Sequence, residues 1–342
     1  MTITMDRYGA DWPMVKRGYD CHTHGIGRQF PTAAEAVDTY YAESDAGDQY
    51  LGEFVVADDG EPIGRMVDGD ALLLWNFRGD RAIEISQAYE SAEFTEFDRG
   101  QHPALSYAGL LQYDGDLQVP STYLVEPPAI DNTMGEYLVN EDMRCFAVSE
   151  TQKFGHVTYF WNGNRSGYLN EDLETYVEIP SDNVPFDQAP AMKADEITDA
   201  VVDLVRSEHF DWGRINYANG DMVGHTGDLA ATIESMEVMD AALARLIAVV
   251  VDKLNGIVIF TADHGNADIM YTEKDGVRSP KTSHTLSAVP FAIACQDPGR
   301  YQLAPVAEPG LANIAATVFN LLGLEAPADL SAAARGLIQM TR

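Results

Sequence analysis

Short apolar runs rich in β-branched residues alternate along this chain with stretches whose apolar positions recur every three or four residues. The runs at 54–57, 71–75, 144–149, 215–218, 256–260 and 289–293 read as strands. Those at 71–75 and 256–260 lack polar alternation, the signature of a strand buried on both faces of a parallel sheet. Helical periodicity marks 33–41, 82–89, 132–140, 194–207 and 311–322. Thr32 and Glu35 make a capping box for the first of these, and Gly323 is a stop signal for the last. After residue 227, Leu229, Ile233, Met236, Leu243, Ile247 and Val250 set out the apolar face of a long helix. Strand, loop and helix units in this order predict an α/β fold with a largely parallel sheet. Residues 162–192 read as a long irregular connection, and the proline-marked stretch 120–128 as a linker. The chain is therefore divided into 1–127 and 128–342.

The strand at 256–260 runs into Thr261-Ala262-Asp263-His264-Gly265-Asn266-Ala267-Asp268. Ligands of open α/β sheets sit beyond the carboxyl ends of strands, so Asp263 and His264 are placed to offer an oxygen and a nitrogen there. An isolated Asp-His pair is more simply a cap and a loop histidine, but two further segments change the balance. In Asn219-Gly220-Asp221-Met222-Val223-Gly224-His225-Thr226-Gly227, one helical turn brings Asp221 and His225 to the same face. Ser283-His284-Thr285 adds a third imidazole ahead of another strand. Carboxylate and imidazole without thiolate suit Mn²⁺ or Zn²⁺, and two adjacent ions suit phosphoryl transfer. Asn76-Phe77-Arg78-Gly79-Asp80-Arg81, between a strand and a helix, reads as an anion clamp of two guanidinium forks. Lys153, after the strand at 144–149, can reach a phosphate, although a solvated lysine is the plainer reading. His156 reads as structural, and Cys21-His22-Thr23-His24 as a solvated loop pair without a third ligand.

Charge narrows the partners. Fifty-four acidic against 22 basic side chains give a formal net charge of −32 over 342 residues. Such a surface repels nucleic acid and anionic membranes, and any phosphate site on it needs local cations. A solvated, highly soluble surface is one reading of this charge; adaptation to high salt, which screens self-repulsion, is another. Three cysteines without a Cys-x-x-Cys pattern and an N-terminus without an apolar core predict a reduced, cytoplasmic setting.

These segments together resemble one family. The Asp221, Asp263 and His284 stretches are similar to the metal motifs of cofactor-independent phosphoglycerate mutase, of the alkaline phosphatase superfamily. Asn76-Phe77-Arg78-Gly79-Asp80-Arg81, Lys153-Phe154-Gly155-His156-Val157-Thr158 and Met5-Asp6-Arg7 resemble its substrate-binding segments, and all lie in the family's order. The resemblance implies an alkaline-phosphatase-like, largely parallel sheet flanked by helices in 128–342, and a smaller α/β substrate (transferase) domain in 1–127. It implies two divalent ions, Mn²⁺ foremost, with Asp221, His225 and His284 on one and Asp263 and His264 on the other. It implies phosphoglycerate held by Arg7, Arg78, Gly79, Asp80, Arg81 and Lys153, no 2,3-bisphosphoglycerate, and a monomer when complete. The family interconverts 3-phosphoglycerate and 2-phosphoglycerate through a phosphoserine. Its serine lies in a Gly-Asn-Ser-Glu-x-Gly-His segment with no counterpart in 1–342. Both domains are therefore expected to lack their N-terminal parts, and the chain alone to be inactive. Two alternatives stay open: a metal-dependent phosphatase or phosphopentomutase of the same superfamily, and a catalytically silent module that binds metal and phosphoglycerate.

Overall fold

The structure, a computed structural model, describes residues 3–6, 11–44, 48, 51–79, 81–114, 117–126, 130–207, 210–274, 276–328, 330 and 335–340. The chain forms two compact units, Met1–Ala129 and Ile130–Arg342.

The first unit runs α1 (Trp12–His24), β1 (Arg28–Phe30), α2 (Ala33–Glu43), β2 (Phe54–Asp58), β3 (Glu61–Pro62), β4 (Ala71–Leu74), α3 (Ile83–Glu90), β5 (Ser106–Leu111) and β6 (Tyr123–Val125). β4, β5 and β6 form a parallel sheet, and β1 and β2 a parallel pair extended by the β2–β3 hairpin. Val15 and Tyr19 of α1 pack on Ile85, Ala88 and Tyr89 of α3, with Leu72, Leu74 and Tyr107 against them.

Three expectations are corrected in this unit. The proline-marked stretch is not all linker, because 123–125 is β6, an edge strand that tolerates flanking prolines. β4 is not buried on both faces: its residues alternate between exposed and half-buried, and Trp75 and Phe77 beyond it are exposed. An apolar run cannot say whether a second layer will cover it. Cys21-His22-Thr23-His24 is the last turn of α1. Thr23 is buried against the Tyr89 hydroxyl at 3.2 Å, and His24 Nε2 bonds the Arg99 carbonyl at 2.9 Å.

The second unit runs α4 (Met134–Asn140), β7 (Cys145–Glu150), α5 (Thr151–Val157), β8 (Glu174–Ile179), α6 (Ala194–Arg206), β9 (Trp212–Asn216), α7 (Asn219–Gly224), α8 (Leu229–Val250) and β10 (Val258–Thr261). It continues with β11 (Tyr271–Lys274), β12 (Val277–Pro280), β13 (Phe291–Ala294), β14 (Tyr301–Leu303), α9 (Ile314–Leu321) and β15 (Ile338–Met340). Thr133 and Glu136 close a capping box on α4. β7 is the central strand of a parallel β8-β7-β9 sheet and is buried along its whole length. Phe146 and Val148 of β7 meet Ile197 and Val201 of α6 and Leu246 of α8 in one core, while Met134, Leu138 and Phe319 form another.

Here too the pattern misled in places. The connection at 162–192 contains β8. Glu174 and Thr175 open that strand and hid it from a search for apolar runs. The run at 256–260 yields β10, which pairs antiparallel with β13 and is half-exposed throughout, not a buried parallel strand. Composition specifies a pleated surface; the direction of the neighbour comes from how the chain returns. On α8 the buried stripe is Ala231, Thr232, Ser235, Ala242, Leu246 and Val249, whereas Leu229, Ile233 and Met236 are 52%, 52% and 40% exposed. Small side chains let α8 lie close to α6 and α7, and close approach outweighed side-chain size. No helix among the described residues is long and apolar enough to cross a membrane.

Candidate metal centre

Three connections of the second unit build the centre. α5 starts directly after β7 and carries Lys153 in its first turn. α7 starts two residues after β9, with Asp221 in its first turn and His225 as its C-cap. Buried Asn219 anchors that helix start by donating from Nδ2 to the carbonyls of Pro190 (3.0 Å) and Ala191 (2.9 Å). Ser283-His284-Thr285 is tied to the turn after β10, because Thr285 N–H donates to the Gly265 carbonyl at 2.8 Å.

The result is a triangle of ligand atoms. Asp221 Oδ1 lies 3.1 Å from His225 Nε2 and 3.0 Å from His284 Nε2, and the two nitrogens are 3.1 Å apart. His225 Nδ1 lies 2.6 Å from the Thr282 carbonyl. A carbonyl can only accept, so Nδ1 carries the proton. In neutral His225, Nε2 is then a lone pair aimed at a carboxylate oxygen, an arrangement that only a proton or a metal ion relieves. The spacing is that of ligands about 2.1 Å from one ion, and an imidazole fixed through its second nitrogen is the usual support of a ligand histidine. The three residues therefore fit a divalent cation. Among the described residues they are the set of three or more potential ligands that converges on one point.

The Asp221 carboxylate is held by more than histidine. Lys153 Nζ donates to Oδ2 at 2.6 Å, and Asn266 Nδ2 donates to Oδ1 at 2.8 Å and to the Asp221 backbone carbonyl at 3.1 Å. Burial by itself would raise the Asp221 pKa. The hydrogen bond with His225, the Lys153 charge and the Lys153 and Asn266 hydrogen bonds outweigh it and hold the carboxyl well below the usual range. His225 is shifted upward, chiefly by its bond to Asp221, whereas burial pushes His284 downward. Lys153, 7% exposed, is not a solvated lysine. A lysine side chain long enough to reach from α5 to α7 is invisible in a pattern of neighbours along the sequence.

Asp263 and His264 sit differently. Asp263 is exposed, its Oδ1 accepts from the His264 N–H at 3.1 Å, and its Oδ2 is 3.5 Å from His264 Nε2. The His264 ring stacks on His284, with centroids 3.7 Å apart and planes 20° from parallel. His264 thus touches the triangle through its face, and this pair alone supplies two potential ligands, fewer than a complete site.

In the first unit, Arg78 is exposed and Arg81 is half-buried, donating to the Met5 carbonyl at 3.2 Å. Gly79 lies so close to the Tyr113 carbonyl that an added Cβ would approach it to 2.9 Å, which explains a glycine between the two arginines. The Asn76 side-chain amide donates to the Arg78 carbonyl and shapes the same turn. Arg7 and Asp80, assigned to substrate by the resemblance, lie outside the described residues. Sequence reasoning missed Asn266 and the Thr282 carbonyl. Asn266 stands two residues after His264, and that position was the signal the sequence offered; its burial and its reach to Asp221 belong to the fold.

Known proteins are similar to this chain over nearly its whole length. A family model described as "Metalloenzyme superfamily" matches residues 24–326. A 2,3-bisphosphoglycerate-independent phosphoglycerate mutase of Trypanosoma brucei brucei is 52% identical over 343 residues, covering 96% of this chain and 62% of its own. The enzyme of that name from Prunus dulcis is 48% identical over 343 residues, covering 96% of this chain and 70% of its own. The solved structure of Leishmania mexicana phosphoglycerate mutase at low cobalt concentration superposes with a TM-score of 0.92 at 46% identity, over 100% of this chain and 64% of that one. The chain thus spans about three fifths of the length of most curated relatives it matches.

Proposed function

The chain belongs to the cofactor-independent phosphoglycerate mutase family within the metalloenzyme superfamily, and from that premise we propose that it serves the interconversion of 3-phosphoglycerate and 2-phosphoglycerate. The observation that carries this reading is the triangle of Asp221 Oδ1, His225 Nε2 and His284 Nε2, with edges of 3.0 to 3.1 Å. Asp221, His225 and His284 would hold one divalent ion, and Asp263 and His264 would contribute to a second. Mixed carboxylate and imidazole donors without thiolate suit Mn²⁺ or Zn²⁺, and Mn²⁺ is the ion proposed. A bound divalent ion supplies Lewis acidity, which activates a hydroxyl and neutralises charge on phosphoryl oxygens.

The chain's own residues would do the rest. Lys153 would present its ammonium to a phosphoryl oxygen beside Asp221, where burial strengthens the attraction. Arg78 and Arg81 would grip the carboxylate or phosphate of phosphoglycerate in forked hydrogen bonds, with Gly79 leaving room for the approach. Arg7 and Asp80 would complete that grip. On a surface of net charge −32, these cations are what reverses the local sign for an anionic substrate. No residue of this chain is proposed as the nucleophile. The parallel sheets would correspond to an alkaline-phosphatase-like domain in the second unit and a transferase-like domain in the first.

Calorimetric titration with Mn²⁺, alongside a mutase assay on 3-phosphoglycerate, tests the reading. One tight site, abolished in His284→Ala, is the expected result; equal affinity in wild type and variant would overturn the metal assignment. A second reading, a metal- and phosphoglycerate-binding module without turnover, is favoured by the incomplete Asp263–His264 pair. Tight Mn²⁺ binding with no mutase activity even after the family's serine-bearing segment is supplied would select it.

A further inference from the structure

Two residues outside every ligand set converge on the loop that delivers His284. Lys281 is anchored by its own backbone, whose N–H donates to the Met270 carbonyl at 2.9 Å. Its ammonium then folds back over the loop. It donates to the Ser283 carbonyl, to Ser283 Oγ at 2.8 Å and to the His284 carbonyl at 2.9 Å. All three ammonium protons are thereby used on two consecutive residues, one of them His284. On the other side of His284, buried Thr285 is held by Asp268. Thr285 Oγ1 lies 3.0 Å from both carboxylate oxygens of Asp268 and accepts from the Ser287 N–H at 3.3 Å. The approach is close enough that a Cβ on Gly265 would fall 2.2 Å from Thr285 Oγ1 and 2.6 Å from Asp268 Oδ1. The same short loop supplies the Thr282 carbonyl that orients His225.

We propose that Lys281 and Asp268 are positioning residues for the metal centre: a clasp that grips the loop on either side of His284 and so sets two of the three ligands, His284 directly and His225 through Thr282. The clasp rests on the metal-site reading above. Its physical logic is that residues 281–284 lie outside every helix and strand, with only the single Thr285–Gly265 bridge beside them. A ligand on such a loop must be oriented by contacts from outside the coordination shell, and partners of this kind typically govern metal affinity about 10- to 100-fold. Asp268 also lies five residues after Asp263, so the clasp fastens the His284 loop to the turn bearing Asp263 and His264.

The test uses the full chain, Mn²⁺ alone as probe, and four variants: Lys281→Met, Asp268→Asn, Thr285→Val and Thr285→Ser. Lys281→Met keeps the aliphatic stem, and Thr285→Ser keeps the hydroxyl. Calorimetry is expected to show Mn²⁺ affinity weakened about tenfold or more in the first three and retained in Thr285→Ser. The ring resonances of His284, identified by their loss in His284→Gln, are expected to shift in the metal-free form of the same three variants. Unchanged affinity together with unchanged His284 resonances would overturn the clasp. Shifted resonances in a protein whose wild type takes up no Mn²⁺ would uphold the clasp and overturn the metal reading. A fall in melting temperature with both readouts intact would assign the two residues to stability alone.

Discussion

The two halves of the centre are built on different foundations. Asp221 springs from the mouth of β9, beside the fully buried β7, and its carboxylate is engaged by lysine, asparagine and histidine. Asp263 follows β10, half of a two-stranded antiparallel ribbon, and stands exposed with, among the described residues, its neighbour His264 against it. One carboxylate is preorganised by the fold; the other is merely present. The difference teaches that a ligand motif at a strand end is worth what the sheet beneath it and the side chains around it make of it.

The largest expected contrast is in stability. Asp221→Leu strands the buried Lys153 ammonium and should cost about 3–5 kcal/mol in the metal-free protein. Adding Lys153→Met should recover much of that loss, whereas Asp263→Leu should stay within about 0.5 kcal/mol. Urea denaturation of the four proteins reads this directly, and equal losses for the two aspartates would erase the distinction. Metal affinity comes next. His225→Ala should weaken the tight Mn²⁺ site about 100-fold or more, and Asp263→Ala less than about tenfold at that same site. Calorimetry at constant pH measures both.

A subtler contrast is in pH. His225 has its pKa raised by Asp221, so its contribution to the metal-free fold is complete below the unfolded value of 6.5 and is lost as pH rises through the higher folded value. Asp221 has its pKa depressed, so its contribution is present above the unfolded value of 3.8 and fades as pH falls toward the folded one. These are two views of one interaction, not two sums. The metal-free melting temperature should therefore decline as pH rises beyond 6.5, and His225→Gln should flatten that decline. Mn²⁺ competes with the proton on His225, so its affinity should increase over the same range. The smallest effect is in salt: the change in stability caused by Asp263→Asn should vary by only tenths of a kcal/mol between low and high ionic strength, and that of the buried Lys153–Asp221 pair hardly at all.

Much of this was legible in the chain. Asp221 and His225 are one helical turn apart, and a turn of helix is a local fact that spacing reports. The strands β7 and β9 follow from apolar runs, and the Thr32 cap of α2, which accepts from the Glu35 N–H, from residue types three apart. Other features were out of reach. Which stripe of α8 is buried depended on how closely α6 and α7 could approach it, so Leu229, Ile233 and Met236 ended outside. The same holds for β10, whose composition said strand but not antiparallel and not half-exposed.

What the sequence by itself determined is the set of local choices: strand and helix units in α/β order, the ligand types, the family and the sign of the surface charge. These depend on residues a few positions apart, where covalent geometry and backbone preference leave few options. Only the tertiary structure decided that Lys153 meets Asp221 across 68 positions, that Asn266 reaches it across 45, and that the His284 and His225 nitrogens lie 3.1 Å apart from segments 59 residues distant. Such contacts are set by how sheets and helices close-pack, and close packing is a property of the whole folded unit that no stretch of chain carries alone.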